Sequence, residues 1–172
     1  MNINFRAIAV FYAMAQYALL YGLTKEMPIV RTKSWRHVRE IRMALSLIFM
    51  LGLCTIGYIH AGPVEDANGQ TVIHLTGAGL AISSGNLNSI LSGALSVPLQ
   101  TTKAKHYQTI SLALGSVGLL ALVSTLVAST WGYSGVTERI SVYCILAWGF
   151  VTGVAILVKP VTIKDGNGGK DI

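Results

Sequence analysis

The sequence predicts an all-α membrane protein, a bundle of about five transmembrane helices with an external N-terminus and a cytoplasmic C-terminus. Three observations lead there. Only 12% of the 172 residues are charged while 52% are hydrophobic, too few charges to cover a water-facing surface. The apolar residues fall in stretches of roughly 20, the length that crosses a bilayer as a helix. The lysines and arginines between those stretches alternate sides with each crossing.

The spans are expected near residues 5–23, 41–59, 72–95, 110–129 and 139–158. The first is the weakest. Its opening, MNINFRAIAVFYAMAQYALLYGL, resembles a secretory signal but lacks a clean small-residue cleavage site, so it is read as a retained helix. The last span meets Lys159-Pro160, and proline cannot continue the hydrogen-bond ladder. A single transmembrane domain over 1–160 is therefore expected, with residues 161–172 a polar, glycine-rich cytoplasmic tail.

The loops orient the bundle. Lys25, Arg31, Lys33, Arg36 and Arg39 lie between the first two spans, with Arg42 just inside the second; Lys103 and Lys105 follow the third; Lys159, Lys164 and Lys170 follow the last. The remaining connections, HAGPVEDANGQ and TWGYSGVTE, contain no lysine or arginine. Basic flanks mark cytoplasmic loops, and a four-span reading spoils the alternation. The formal net charge of +6 is thus explained by membrane flanks, and no nucleic-acid partner is expected. The basic loop between the first two spans either contacts anionic inner-leaflet lipid, at about 1 kcal/mol per Lys or Arg, or serves topology alone. The localisation expected is a cell membrane, of prokaryotic plasma-membrane type.

Small residues recur every four positions along the third span at Gly77, Ala81, Gly85, Ser89 and Gly93, and Gly149 and Gly153 repeat the spacing in the last. Such ridges let helix backbones approach closely. They serve either packing within the bundle or a seam to a second copy. Asn86 and Asn88 lie deep in the third span. Amides at such depth face protein or water, either as an interhelical hydrogen bond or as the polar lining of a cavity.

His74 opens the third span on the external side, and Glu138 and Arg139 open the last on the same side. They constitute either an interfacial ion pair among anchoring aromatics or an outward-facing pocket, in which Arg139 suits an anionic headgroup. No catalytic constellation, phosphate-cradling loop or cysteine cluster is present, the histidines match no zinc spacing, and no cofactor is expected. Cys54 and Cys144 lie inside apolar runs and read as small packing residues.

Two segments carry a family resemblance. His74 to Asn86 (HLTGAGLAISSGN) and Gly135 to Trp148 (GVTERISVYCILAW) resemble the bacterial and archaeal multi-pass family known as domain of unknown function nine-nine-eight. The matching positions are His74, Gly77, Ala78, Gly85 and Asn86, then Glu138, Arg139, Ile140, Tyr143 and Trp148. The resemblance spans residues 40 to 158. It implies a polytopic fold and names candidate residues, but that family offers no established activity to carry over. Its members commonly have six helices with both ends cytoplasmic, so this chain looks like one without the first helix.

Two functions fit these features. One is binding or moving a lipid or small amphiphile through an outward-facing polar cavity, with His74, Asn86, Glu138, Arg139 and Trp148 as ligand-binding candidates. The other is a non-catalytic accessory, assembly or immunity-type subunit whose partner is a second copy or another membrane chain. An enzyme is the less favoured reading.

Overall fold

The computed structural model describes residues 33–59, 67–95, 102–128 and 134–157, together with the isolated positions 11, 14, 15, 17 and 18. These contain four helices: α1 (Lys33–Tyr58), α2 (Gln70–Leu95), α3 (Thr102–Ala128) and α4 (Ser134–Leu157). The five isolated positions are also helical. The rest of the expected first span, the loop residues 60–66 and the tail from 158 onward lie outside the described residues.

Three of the helices start well before the apolar stretch does. Apolar runs expected from residues 41, 110 and 139 belong to helices that begin at Lys33, Thr102 and Ser134. A backbone ladder does not stop at the edge of the hydrocarbon. At 1.5 Å per residue, the 26 residues of α1 extend about 39 Å, against about 30 Å of bilayer core. At the other end of α1, Gly69 stands at φ 70° just before α2, a left-handed conformation open to a residue without Cβ.

Three helices are long and apolar enough to cross a membrane, over Glu40–Tyr58, Lys105–Thr125 and Gly135–Ala155. The third expected span, α2, has the length but not the apolarity, because glycine, serine, threonine and asparagine fill much of it. Its position explains this. It is the central helix, packed on α1, α3 and α4, so its side chains meet protein before they meet solvent.

The distribution of polarity is the reverse of a water-soluble bundle. Among the described residues ten polar or charged ones are buried, five of them on α2: Ser84, Asn86, Asn88, Ser89 and Ser92. Large apolar side chains cover the outside, with Leu51 60% exposed, Leu120 68% and Phe150 73%. In water, buried polar groups and broad exposed apolar faces are both exceptions; in lipid both are ordinary. The hydroxyls are accommodated locally. Thr55, Thr76, Ser84, Thr109, Ser124 and Thr152 each donate to the carbonyl four residues earlier, which satisfies them within their own helix.

The small-residue ridge of α2 serves three partners in turn. A Cβ on Gly77 would strike Thr55 of α1, one on Gly85 would meet both Phe49 of α1 and Ile145 of α4, and one on Gly93 would strike Leu112 and the Gln108 carbonyl of α3. A four-residue step turns about 400° around a helix of 3.6 residues per turn. The ridge therefore drifts about 40° per step and about 160° over its length. It leaves α1 at one end and reaches α3 at the other. The apolar centre of the bundle is Phe49, Ala81, Ile82 and Ile145, at the middle of that path.

Candidate functional site

The register between helices follows from their hydrogen bonds. Arg42 Nη2 donates to Ser92 Oγ at 2.8 Å, and Asn88 Nδ2 donates to Ser46 Oγ at 3.3 Å, so α1 and α2 run antiparallel in step. Ser141 Oγ donates to the Gly118 carbonyl at 2.6 Å, and Tyr107 and Thr152 share a hydrogen bond of 3.1 Å. From the first of these pairs to the second, α4 advances 11 residues (141 to 152) and α3 retreats 11 (118 to 107). Trp148, seven on from Ser141, is therefore level with Ser111, seven back from Gly118. Ser89 Oγ donates to the Ser111 carbonyl at 2.8 Å, which brings α2 to the same level.

Two adjacent polar layers result. One contains Ser46, Asn88, Ser89, Ser111 and Trp148. The next, a turn closer to the end where α1 and α3 begin, contains Arg42, Ser92, Tyr107 and Thr152. Between α1 and α2 the layers close into a ring. Arg42 donates to Ser92, whose hydroxyl donates to the Asn88 carbonyl; the Asn88 amide donates to Ser46, whose hydroxyl donates back to the Arg42 carbonyl. Arg42 is 2% exposed and Asn88 1%.

These layers also hold unmatched valences. Arg42 Nε, Asn88 Oδ1, Ser111 Oγ and Trp148 Nε1 are buried and accept or donate no hydrogen bond among the described residues. Leaving such a group unmet costs about 1–3 kcal/mol each, more for a charged one. Three donors and one acceptor are thus left unmet at two adjacent levels of the bundle.

A separate knot lies beyond them. Asn86, fully buried, donates through Nδ2 to the Ile82 carbonyl at 2.9 Å and to Ser141 Oγ at 3.0 Å. Its Oδ1 lies where a Cβ on Gly118 would stand. Gly118 is thus the position that admits the amide, and Asn86 ties α2 to α3 and α4. Of the two roles expected for this residue, the geometry supplies the interhelical hydrogen bond.

The other candidates from the sequence are placed as follows. His74 Nδ1 stands 2.6 Å from the Ile59 carbonyl; donation to it holds the end of α1 against α2. Glu138 is half-buried and Arg139 exposed at the start of α4. No hydrogen bond or ion pair among the described residues joins His74, Glu138 and Arg139 to one another, although all three sit at one end of the bundle. Trp148 is buried, with its indole N–H in the first polar layer. Gly77, Ala81 and Gly85 face neighbouring helices, while Gly149 is half-buried and a Cβ on Gly153 would meet nothing within 4 Å. Among the described residues, none packs against Gly153 as closely as the partners of Gly77 and Gly85 do. Sequence position established that Gly149 and Gly153 share a face, not which way the face points.

Arg42 is the residue that reading the sequence undervalued. It counts there as one more charge at a cytoplasmic flank. Its signal is its place at the start of the apolar run rather than before it, since an ionisable residue within a span faces the bundle interior. Among the described residues, no three His, Cys, Asp or Glu side chains gather as a metal site, and Cys54 and Cys144 are free thiols. No protein-family model, curated protein or solved structure matches the chain.

Proposed function

We propose that this is a plasma-membrane protein of prokaryotic type with five spans, N-terminus outside and C-terminus inside, that binds or moves a lipid or small amphiphile. The observation that carries the binding reading is the pair of donor-rich layers with buried, unmatched Asn88, Ser111, Trp148 and Arg42 atoms. A membrane protein that needed only rigidity gains nothing from leaving them unmet. An opening on the His74 side remains the sequence's reading. The geometry gives more weight to the interior, since His74 is engaged by Ile59. The resemblance to the multi-pass family, through His74 to Asn86 and Gly135 to Trp148, is part of the same proposal. Native mass spectrometry of the full chain from mild detergent tests it. Retained lipid on a folded protein supports binding; a lipid-free chain sinks it.

The five-span topology rests on the alternation of lysine and arginine. Single cysteines at Ser134 and at Thr102, in a background with Cys54 and Cys144 replaced, should be labelled from outside and inside respectively. Labelling of both from one side ends this topology.

A second reading, a non-catalytic accessory, assembly or immunity-type subunit, is favoured by the Asn86 knot and by the backbone contact at Gly52, whose added Cβ would lie 2.6 Å from both the Ala81 nitrogen and the Gly77 carbonyl oxygen. These features make a scaffold. A stable complex with a second copy or another membrane chain, with no lipid retained, would support that reading instead.

A further inference from the structure

We propose that Arg42 is the anchor of an oxyanion site at the end of the bundle where α1 and α3 begin, and that its ligand is a phosphate group, either free or on a lipid. The proposal rests on the binding reading above and names the chemistry of its polar end.

A guanidinium stays protonated across the physiological range, and a charge taken out of water needs a partner. Arg42 is 2% exposed and has none of opposite sign among the described residues. The acidic side chains there are Glu40 and Glu138. Glu40 is more than half exposed and stands 3.4 Å from His37; Glu138 is at the far end of α4. The described side chains named around Arg42 are neutral. Ser92 takes Nη2, Ser46 is bonded to the Arg42 carbonyl, and the Tyr107 phenol stands in the same layer. Nε, the inner tine of the fork, has no partner. Arginine offers donors in a planar fork that matches a phosphate or carboxylate with two parallel bonds. Here one donor of that fork is unspent and buried.

The surroundings attract the same ligand. Lys33, Arg36 and Arg39 fall in the first two turns of α1, and Lys103 and Lys105 in the first turn of α3. Clustered basic residues raise the local concentration of anions and draw the chain to anionic lipid. Ser92, Tyr107 and Thr152 bring hydroxyl oxygens to the level of the guanidinium, but their protons already go to the Asn88 carbonyl, the Thr152 hydroxyl and the Trp148 carbonyl. An oxyanion accepts from the unspent Arg42 Nε–H and is drawn by the basic residues beyond it, whereas a cation or a plain alkyl chain satisfies neither.

The test uses the full chain in an uncharged mild detergent, following thermal unfolding. Inorganic phosphate is titrated against chloride at matched ionic strength. Phosphatidylglycerol is titrated against phosphatidylcholine in mixed micelles. At about a hundredfold excess over Kd, the midpoint should rise by about 5–10 °C. A rise with phosphate alone identifies a free anion; a rise with phosphatidylglycerol and not phosphate identifies a headgroup. Arg42→Gln should abolish the rise. Because that variant can fail to fold, Ser92→Asp is the second arm. It places a carboxylate where Nη2 already points, so the variant should fold without added anion and lose the response. No rise with either anion, or a rise undiminished in Ser92→Asp, overturns the proposal. So does an Arg42→Gln variant that unfolds while the wild type ignores both anions, since the counter-charge then comes from elsewhere in the chain. Lipid retained equally by wild type and Ser92→Asp defeats this site but leaves the lipid-binding reading intact. A phosphate response in a chain that retains no lipid does the opposite.

Discussion

Along α2, the half that begins at Gln70 meets α1 mainly through close backbone approach, whereas the half that ends at Leu95 adds hydrogen bonds to all three neighbours. In the first half, Gly52 and Gly77 bring backbone atoms of α1 and α2 close enough that an added Cβ would lie under 3 Å from its neighbour. In the second, Ser84, Asn86, Asn88, Ser89 and Ser92 are buried together. Lipid tails are as apolar as leucine, so neither half can rely on the hydrophobic effect to drive association. Close approach gains dispersion contacts and tolerates no added atom. Hydrogen bonding tolerates some rearrangement and demands partners. The first half is therefore expected to be broken by an enlarged residue, and the second by a deleted one as well.

The largest effect should come from Gly52→Leu. Its Cβ would sit 2.6 Å from both the Ala81 nitrogen and the Gly77 carbonyl oxygen. Backbone atoms inside a helix cannot swing aside as a side-chain tip can. α1 and α2 must separate, with a loss of about 3 kcal/mol or more. Unfolding titrations in mixed micelles measure it. A loss under about 1 kcal/mol would mean that the two helices are not held at this distance.

Asn86→Ala probes the other half. It removes donation to Ile82 and Ser141 and empties the place against Gly118. Ser141 keeps its bond to the Gly118 carbonyl, so α3 and α4 stay joined. Interhelical hydrogen bonds in membranes are modest, and the loss should be about 1–2 kcal/mol. A loss as large as that for Gly52→Leu would show that the knot, not the seam, carries the bundle.

The same contrast explains what could be read from the sequence. Apolar runs, the four-residue ridge of α2 and the depth of Asn86 depend on spacing alone, and spacing is visible in one dimension. Azimuth is not. His74, Glu138 and Arg139 share a level, but the sides they face depend on how α2 and α4 are rotated, and no bond joins them. Arg42 posed the same difficulty in reverse. As a flanking charge it had an adequate explanation, and only the position of Ser92 opposite shows that it points inward. The drift of the ridge from α1 to α3 was computable from 3.6 residues per turn; the identity of the helices it would meet was not.

Gly85→Ala should cost less than either. A Cβ there would lie 2.9 Å from Ile145 Cδ1 and 3.0 Å from Phe49 Cε2. Both are ends of side chains, free to give by a few tenths of an ångström. Alanine also favours a helix interior over glycine by about 1 kcal/mol. The two terms oppose, and the net loss should stay under about 1 kcal/mol. Gly85→Leu, which adds bulk that neither Phe49 nor Ile145 can yield to, should lose about 1–3 kcal/mol. The difference between the two variants measures how much of this contact is side chain and how much is backbone.

The smallest effect, and the only gain, is expected at Gly153. It shares the four-residue spacing of the α2 ridge through Gly149, yet a Cβ there would meet nothing within 4 Å. With no steric term to oppose it, Gly153→Ala should stabilise the chain by on the order of 0.5 kcal/mol through helix propensity. Spacing alone predicts the opposite sign, because a glycine held for close packing is harmed by any added methyl. Measuring Gly153→Ala beside Gly85→Ala in the same mixed micelles separates the two. If Gly153→Ala destabilises by about as much as Gly85→Ala, the open face of α4 is not open in the folded protein, and something packs there as closely as α1 packs on α2.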